Sequence, residues 1–595
     1  MTLTECLFGM EDSQYHKMLV PELKDELRKL GEVTTGNKSE LIERLKSHQK
    51  QPVIISIEAD LIEDESRLEQ IFVKMKTQVI GPLNLGSVIA IGLSLLMISS
   101  VLVFQPAWLG FGDDYEYDLI DFDQQQAKTF AEQLVSLGHP DWEGRMSGTI
   151  EEANTSQYIR DRFEEMGYSS EINEFQVPMH HVNSEPSFRL CVQGLGGVAP
   201  CDGFIVSGTS QVTSFQHRID YVIQGFSGQS EYMFNDEIQV TNLGNGSDDA
   251  LWQSATGTIG YLISGGSIGG NTAMYVKAVE NDLAGIIRVN KDYNCGKIEG
   301  NDCVPIFKGS GFDEITEANG GTTPTEIPFI AMSKDAGDIF EAMVINASEP
   351  ASIELRIDVT NDEERTIYVP CGTIQGRTSE IVIAGGHHDT VYHGQGAIDD
   401  TSGIASILEM ARQIAEVINE TGIPERTIRF CTWGGEEEGL WGSRAYVEEM
   451  QSSLRDNLRL YINLDMNHVD ADFENRGNSV RLFTNNDDDY DHIERIMDLF
   501  KEERSEIADK YDIQLLDVLD GDKGDEDEMP CNSDHCPFVY DLGGKDGRAV
   551  VCYGSGSWEY HTYLDTMDRF NQESLAISTT IYGTYMRLLA YDLNA

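Results

Sequence analysis

The sequence predicts an α/β protein with a mixed, doubly wound sheet, and three observations carry that expectation. Four short runs, Ile381–Ala384, Thr427–Trp433, Leu458–Leu464 and Ala549–Tyr553, are apolar without clear alternation, the pattern of strands buried on both faces. The first is followed by an apolar stripe at helical spacing, Ile404, Ile407, Leu408, Ala411, Ile414, Ala415 and Ile418, as a strand-helix-strand order requires. Each run also leads to an acid or a histidine at its carboxyl end, where open α/β sheets bind their ligands.

The stretch Ile381 to Gly403, IVIAGGHHDTVYHGQGAIDDTSG, organises the rest. Its strand ends in Gly385-Gly386, which places His387 and Asp389 just beyond the sheet. There a His-x-Asp can ligate a metal through His387 while Asp389 orients the imidazole. Asp399 and Asp400 follow a glycine-rich loop, and Ser402 is the expected cap of the next helix. TIRFCTW runs into Gly434-Gly435-Glu436-Glu437-Glu438, LRLYINL into Asp465, and AVVCY through GSGSWEY to His561. His387, Asp399, Glu436, Glu437, Asp465 and His561 would thus converge. Two histidines with several carboxylates suit a pair of divalent ions, and zinc is the usual choice when nitrogen and oxygen ligands are mixed.

The motifs GGHHDT, GAIDDTSG, GGEEEGLWGSRAY, YINLDM and EYHTYLDT resemble, in family order, those of the co-catalytic di-zinc exopeptidases, the family of bacterial leucyl aminopeptidases and glutamate carboxypeptidase II. The resemblance implies two zinc ions, with His387 and Asp465 on one, Glu437 and His561 on the other, and Asp399 bridging them. It makes Glu436 the general base, makes Tyr560 a hydrogen-bond donor to the substrate carbonyl, and puts a cis peptide at Asp399-Asp400. Asp565, in HTYLDT, is placed to support His561. EGRMSGT resembles the opening segment of the same family. GTIGYLISGG followed by TAMYVKAVENDLAGIIRVN resembles a protease-associated domain, an insertion found in several of these peptidases, whose strand, helix and strand would form a lid over the metals. The expected fold is therefore a sheet of the zinc exopeptidase type carrying a β-rich insertion.

Residues 15–48 read as two short helices around a turn, with Leu19, Leu23, Leu27 and Leu30 on one stripe and Leu41, Ile42 and Leu45 on the next. This resembles a SAP motif, a module often found on DNA-binding proteins. Acids and bases nearly balance there, so charge does not support nucleic-acid binding, and a protein-interaction module is an equal reading. Residues 49–82 read as a linker. From Ile80 to Gly112 no charged residue occurs, and the apolar core has about the 20 residues that cross a bilayer. A transmembrane helix is expected over 83–105. Lys74 and Lys76 precede it, and Asp113, Asp114, Glu116 and Asp118 follow. The positive-inside rule puts the amino terminus in the cytoplasm and the main body outside the cell membrane, on a single span. Residues 118–185 and 356–595 then form the peptidase domain, interrupted by the insertion at 186–355.

The net charge of -58 and pI of 4.4 exclude a nucleic-acid surface over the main body, because phosphate binding needs excess Lys and Arg. The acidic runs at 487–489 and 520–528 lack the spacing of an EF-hand and read as solvated loops. Cys191 with Cys201, and Cys295 with Cys303, suit disulfides in an oxidising compartment. Cys531 and Cys536 flank Ser533-Asp534-His535, and their pairing is left open. Cys371, Cys431 and Cys552 sit in apolar runs and are expected as buried thiols. The N-x-Ser/Thr sequons at Asn154, Asn245, Asn346 and Asn419, all beyond the uncharged stretch, agree with an extracytoplasmic body.

The function expected is a membrane-anchored zinc exopeptidase acting on peptides outside the cytoplasm. An aminopeptidase is favoured, because a carboxypeptidase needs a cation to hold the free carboxylate. MNHVDADFENRG offers only Arg476, and SDHCPF and SGSWEY offer neither Arg nor Lys. Three alternatives stay open: a carboxypeptidase of the glutamate type, a receptor-like ectodomain that does not catalyse, and a serine hydrolase using Ser267 in Gly265-Gly266-Ser267-Ile268-Gly269. The second would show in the loss of a ligand or of Glu436, and none is lost.

Overall fold

The four apolar runs pair with one another at the middle of one sheet. The computed structural model describes residues 78–80, 83–84, 117–193, 210–236, 238–263, 270–291, 294–298, 303–347, 350–470, 477–518, 529–544 and 546–595. The chain divides into two units, 1–115 and 116–595. In the first, β1 (Gln78–Ile80) and β2 (Leu83–Asn84) pair antiparallel. The expected helical module at 15–48 and Ser267, Cys201 and Arg476 lie outside the described residues. So does the expected transmembrane helix, except for Leu83 and Asn84, which are strand. Among the described residues no helix is long and apolar enough to cross a membrane.

In the second unit β3 (Ser169–Val182) is followed by the residues of the insertion. The chain then returns through β13 (Val359–Ile374), β14 (Ile381–His387), β15 (Thr427–Trp433), β16 (Leu458–Leu464), β17 (Ser479–Thr484), β18 (Asp512–Asp517) and β19 (Ala549–Gly554). The order across the sheet is β18-β17-β19-β16-β14-β15-β13-β3. The central four, β19-β16-β14-β15, are all parallel, while β17 joins β19, and β13 joins β15 and β3, antiparallel. All four carboxyl ends therefore open on one edge of the sheet. Ile383, Cys431, Tyr461 and Val551 face helices 441–457 and 535–540 through Tyr446, Val447, Leu454 and Phe538. Side chains alternate along a strand, so Val382 points the other way, toward the face where helix 401–421 lies on β14 and packs against helices 124–135 and 572–591. Full burial of each Ile or Leu on this helix contributes about 1.5–3 kcal/mol.

The cap of helix 401–421 is Asp400, not Ser402. Asp400 is the last non-helical residue and its carboxylate accepts from Gly403 N at 2.8 Å. Ser402 is already inside the first turn and donates to the Ile398 carbonyl at 2.7 Å.

Residues 187–357 form two sheets of their own. The first has the antiparallel order β5-β4-β12-β7, from β4 (Ser187–Gln193), β5 (Ser210–Phe215), β7 (Ser230–Tyr232) and β12 (Ser352–Ile357). The second has the order β6-β11-β10-β9-β8, from β6 (Tyr221–Ile223), β8 (Val240–Asn242), β9 (Ile259–Ile263), β10 (Gly285–Val289) and β11 (Phe329–Met332). β9 and β10 are parallel and joined by helix Gly270–Glu280.

Disulfides join Cys295 to Cys303 and Cys531 to Cys536, and Cys191 is also disulfide-bonded. Cys371 and Cys431 are bonded to each other, which corrects their reading as thiols. They are 60 residues apart in sequence but face each other directly across β13 and β15, with Cα atoms 4.2 Å apart. Cys552 is the free cysteine among the described residues, and it is buried.

Candidate metal centre

Each strand end places its polar residue for a local reason. Gly385-Gly386 lets β14 run close under its neighbours: a Cβ on Gly386 would stand 2.4 Å from the Leu464 carbonyl oxygen. His387 is therefore the first side chain able to leave the sheet edge. Asp465 and the pair Glu436-Glu437 follow β16 and β15 directly. Asp399 sits at the turn into helix 401–421, next to a cis Asp399-Asp400 peptide. His561 closes the loop after β19, in the left-handed region at φ 56°.

These residues come together in two buried groups that share one aspartate: His387, Asp399 and Asp465, and Asp399, Glu437 and His561. His387 Nε2 lies 3.1 Å from Asp399 Oδ1 and 3.8 Å from Asp465 Oδ1. His561 Nε2 lies 3.0 Å from Asp399 Oδ2 and 2.7 Å from Glu437 Oε2. Glu436 stands beside the first group, its Oε2 3.9 Å from His387 Nε2, with 14% of its side chain exposed. Tyr560 lines the same cavity of about 440 Å³ as His387, Asp399, Glu436, Asp465 and His561.

The proton positions decide what fits between these groups. His387 Nδ1 is 3.1 Å from the Asp389 carbonyl, and His561 Nδ1 is 2.9 Å from the Phe307 carbonyl. A carbonyl only accepts, so both Nδ1 atoms carry the proton, and Nε2 is the ring atom that each histidine turns toward the carboxylates, a ligand when the ring is neutral. At each group one imidazole Nε2 and two carboxylates thus converge in buried surroundings, and Asp399 Oδ2 and both Glu437 carboxylate oxygens accept no hydrogen bond there. A cation at each point satisfies them, and mixed nitrogen and oxygen donors suit zinc. The residues present therefore fit two metal ions.

The surrounding groups hold this geometry. The Asp389 carboxylate accepts from Glu436 N at 3.4 Å and from Glu437 N at 3.3 Å, so it fixes the acidic loop as well as lying 3.4 Å from His387 Nδ1. Its backbone carbonyl is the nearer partner of the imidazole. Asp565 is also placed differently from the expectation. It accepts from Ile398 N at 2.7 Å and Asp399 N at 3.0 Å, which anchors the shared aspartate, while the acceptor for His561 is Phe307. Burial lifts the Glu436 carboxyl well above the usual range, reinforced by Asp465, Asp534 and Glu437.

Two contributors lie in parts of the chain that sequence reasoning did not connect to the site. Lys308 of the insertion lines the cavity, and its ammonium donates to the Tyr560 hydroxyl at 2.5 Å. Burial pushes the ammonium down to about 8, opposed by Glu437, Asp399 and Glu436. Among the described residues it is the loop carrying Lys308, rather than the β9-helix-β10 unit, that reaches the cavity. The other is Arg145 of EGRMSGT, buried behind the aspartates. The sequence offered one signal, the glycine-flanked FKGSG, and it has no pattern of its own.

Residues 371–586 match peptidase family M28, and residues 14–50 match the SAP domain. The chain is 33% identical over 159 residues to "Probable lipoprotein aminopeptidase LpqL" of Mycobacterium tuberculosis, covering 26% of this chain and 30% of that one. It is 40% identical over 125 residues to "Aminopeptidase NAALADL1" of Mus musculus, covering 20% and 16%. The chain thus spans less than a third of the length of either relative. Among solved structures the zinc aminopeptidase BSAP from Bacillus subtilis aligns with a TM-score of 0.53 at 17% identity, over 80% of this chain and 96% of that one, which shows a shared fold. The family match thus covers the segment 371–586 that holds the five motifs, and the fold is the one shared with that aminopeptidase.

Proposed function

We propose that the protein is a zinc-dependent exopeptidase that removes amino-terminal residues from peptides. The observation that carries this reading is the convergence of buried acceptors at two points sharing Asp399, with Glu436 beside them at the cavity wall. Two zinc ions, held by His387, Asp465 and Asp399 and by Asp399, Glu437 and His561, would supply an ionisable water near neutral pH and an electrophilic pull on the scissile carbonyl. Glu436 takes the proton from the attacking water and passes it to the leaving amine. Tyr560 donates a hydrogen bond to the carbonyl oxygen as charge develops there. Asp565 and Asp389 keep Asp399, Glu436 and Glu437 in place through backbone N–H groups.

Acids around the metals suit the ammonium group of a free amino terminus, and two relatives are named aminopeptidases. One observation favours a second reading: Lys308 puts a cation in the cavity, which a carboxypeptidase would use. Hydrolysis should be abolished by 1,10-phenanthroline, restored by zinc and unaffected by a fluorophosphonate. With one peptide in free, N-acetylated and C-amidated forms, cleavage of the free and C-amidated forms alone is expected. Cleavage that survives N-acetylation and is lost on C-amidation would replace the aminopeptidase by the carboxypeptidase, and fluorophosphonate inhibition would replace both by a serine enzyme at Ser267.

We further propose a protease-associated domain for the insertion and a single membrane span after Asn84, with the SAP segment in the cytoplasm and the peptidase outside. The uncharged stretch from Ile80 to Gly112, Lys74 and Lys76 before it, and the disulfides of the second unit support this topology. A protein or a nucleic acid is the ligand of the SAP segment, and a mobility-shift titration of residues 1–76 with DNA at low salt that stays flat would leave the protein. Protease added to intact cells should digest the peptidase and spare the residues before Lys76. Digestion of that segment in sealed cells would reverse the topology.

A further inference from the structure

The backbone of Phe307 in the insertion makes two hydrogen bonds to His561, one to its carbonyl and one to its ring, and they set the position of the residue that follows. Phe307 N–H donates to the His561 carbonyl at 3.1 Å, and His561 Nδ1–H donates to the Phe307 carbonyl at 2.9 Å. This reciprocal pair ties the loop to a metal-binding residue whatever side chain comes next. Gly309, beyond it, lies so close that an added Cβ would stand 3.0 Å from the Glu437 carbonyl oxygen. Lys308 is therefore held between two fixed points, and its ammonium reaches Tyr560, the neighbour of His561 in the chain.

At Tyr560 the ammonium makes two contacts with one ring. Its Nζ is 2.5 Å from the phenol oxygen and 3.9 Å from the ring centroid. The Tyr560 ring also stacks on the His561 imidazole, with centroids 3.6 Å apart and an angle of 25° between planes. Ring position is thus set by the imidazole and by a cation over the aromatic system. An ammonium has three donors and no acceptor, so the phenol oxygen must accept from it. That leaves the phenol's own proton to be given elsewhere than to Lys308, and accepting a charged hydrogen bond makes the O–H a stronger donor. An oxyanion donor requires that orientation and that strength.

We propose that Lys308 is a positioning residue that acts through Tyr560, so that the inserted domain supplies part of the transition-state stabilisation. This rests on the reading of the centre as a peptidase in which Tyr560 donates to the carbonyl oxygen. Lys308 makes no bond to the metal-binding side chains in this scheme, and its loss should leave them loaded.

The test is a double-mutant cycle on the full chain with zinc. K308M should lower kcat by about 10-fold, part of the roughly 100- to 1,000-fold that one oxyanion-hole donor supplies, with KM and zinc content unchanged. In the Y560F background the same change should have no further effect, and K308R should recover most of the loss. An equal loss from K308M in both backgrounds would overturn the proposal. So would a rise in KM confined to substrates with a free carboxylate, which would make Lys308 a substrate-binding group. A readout independent of hydrolysis separates this from failure of the peptidase reading. In protein labelled with fluorotyrosine, the resonance missing from Y560F should move in K308R and K308M, and a stationary resonance would also overturn the proposal. If K308M does not fold, K308R and K308Q carry the same comparison.

Discussion

Glu436→Gln is expected to lower turnover by roughly 100- to 10,000-fold, the contribution of general base catalysis, while both metal groups keep their ions. The amide has the shape of the carboxylate but does not accept a proton, so the substitution removes the shuttle and little else. Geometry separates the roles of the adjacent glutamates. Glu437 Oε2 is 2.7 Å from His561 Nε2 and belongs to a buried ligand group. Glu436 Oε2 is 3.9 Å from His387 Nε2, lines the cavity and retains solvent contact. Steady-state kcat and zinc bound per chain, measured on the same preparation, decide the matter. Near-wild-type turnover would dismiss Glu436 as the base, and loss of one zinc would make it a ligand.

The positions of these residues were legible because a buried parallel strand has a clear signature and an obligatory polar end. His387, Asp465, Glu436 and Glu437 stand within four residues of such ends, so pattern and site coincide. What pattern could not reach depends on tertiary neighbours. The Cys371–Cys431 bond needs β13 to lie beside β15 in one register, and each cysteine alone reads as part of an apolar run. Asp565 is four residues from His561 in sequence, which suggested support for that ligand, yet the fold turns its carboxylate to the backbone of Ile398 and Asp399. Lys308 is 252 residues from Tyr560, and no local periodicity marks a single lysine in a glycine-rich loop. Local spacing revealed the groups that converge at the centre, whereas the groups that position them are revealed by packing.

Arg145→Met is the substitution expected to cost the most stability, about 3–5 kcal/mol, the usual effect of removing one member of a buried charge network. The guanidinium is fully buried and uses three donors: Nε to the His388 carbonyl at 3.2 Å, Nη1 to the Gln395 carbonyl at 2.9 Å and Nη2 to Thr401 Oγ1 at 2.8 Å. Those acceptors lie at the start, the middle and the far end of the loop between β14 and helix 401–421, the loop that carries Asp389 and Asp399. Burial lowers the guanidinium to about 10, and Asp389, Asp565 and Asp400 oppose the shift, so it is charged at neutral pH. Methionine fills much of the volume but leaves two buried carbonyls and the Thr401 hydroxyl without their donor and removes the positive charge near Asp389. Lysine restores the charge as a point on a flexible stem and does not match the planar fork, so Arg145→Lys should recover only part of the loss. Urea unfolding of the three proteins at one zinc concentration gives the comparison. A midpoint for Arg145→Met equal to that of wild type would mean that the loop is held by the metal ligands alone, and the EGRMSGT segment would have no part in shaping the centre.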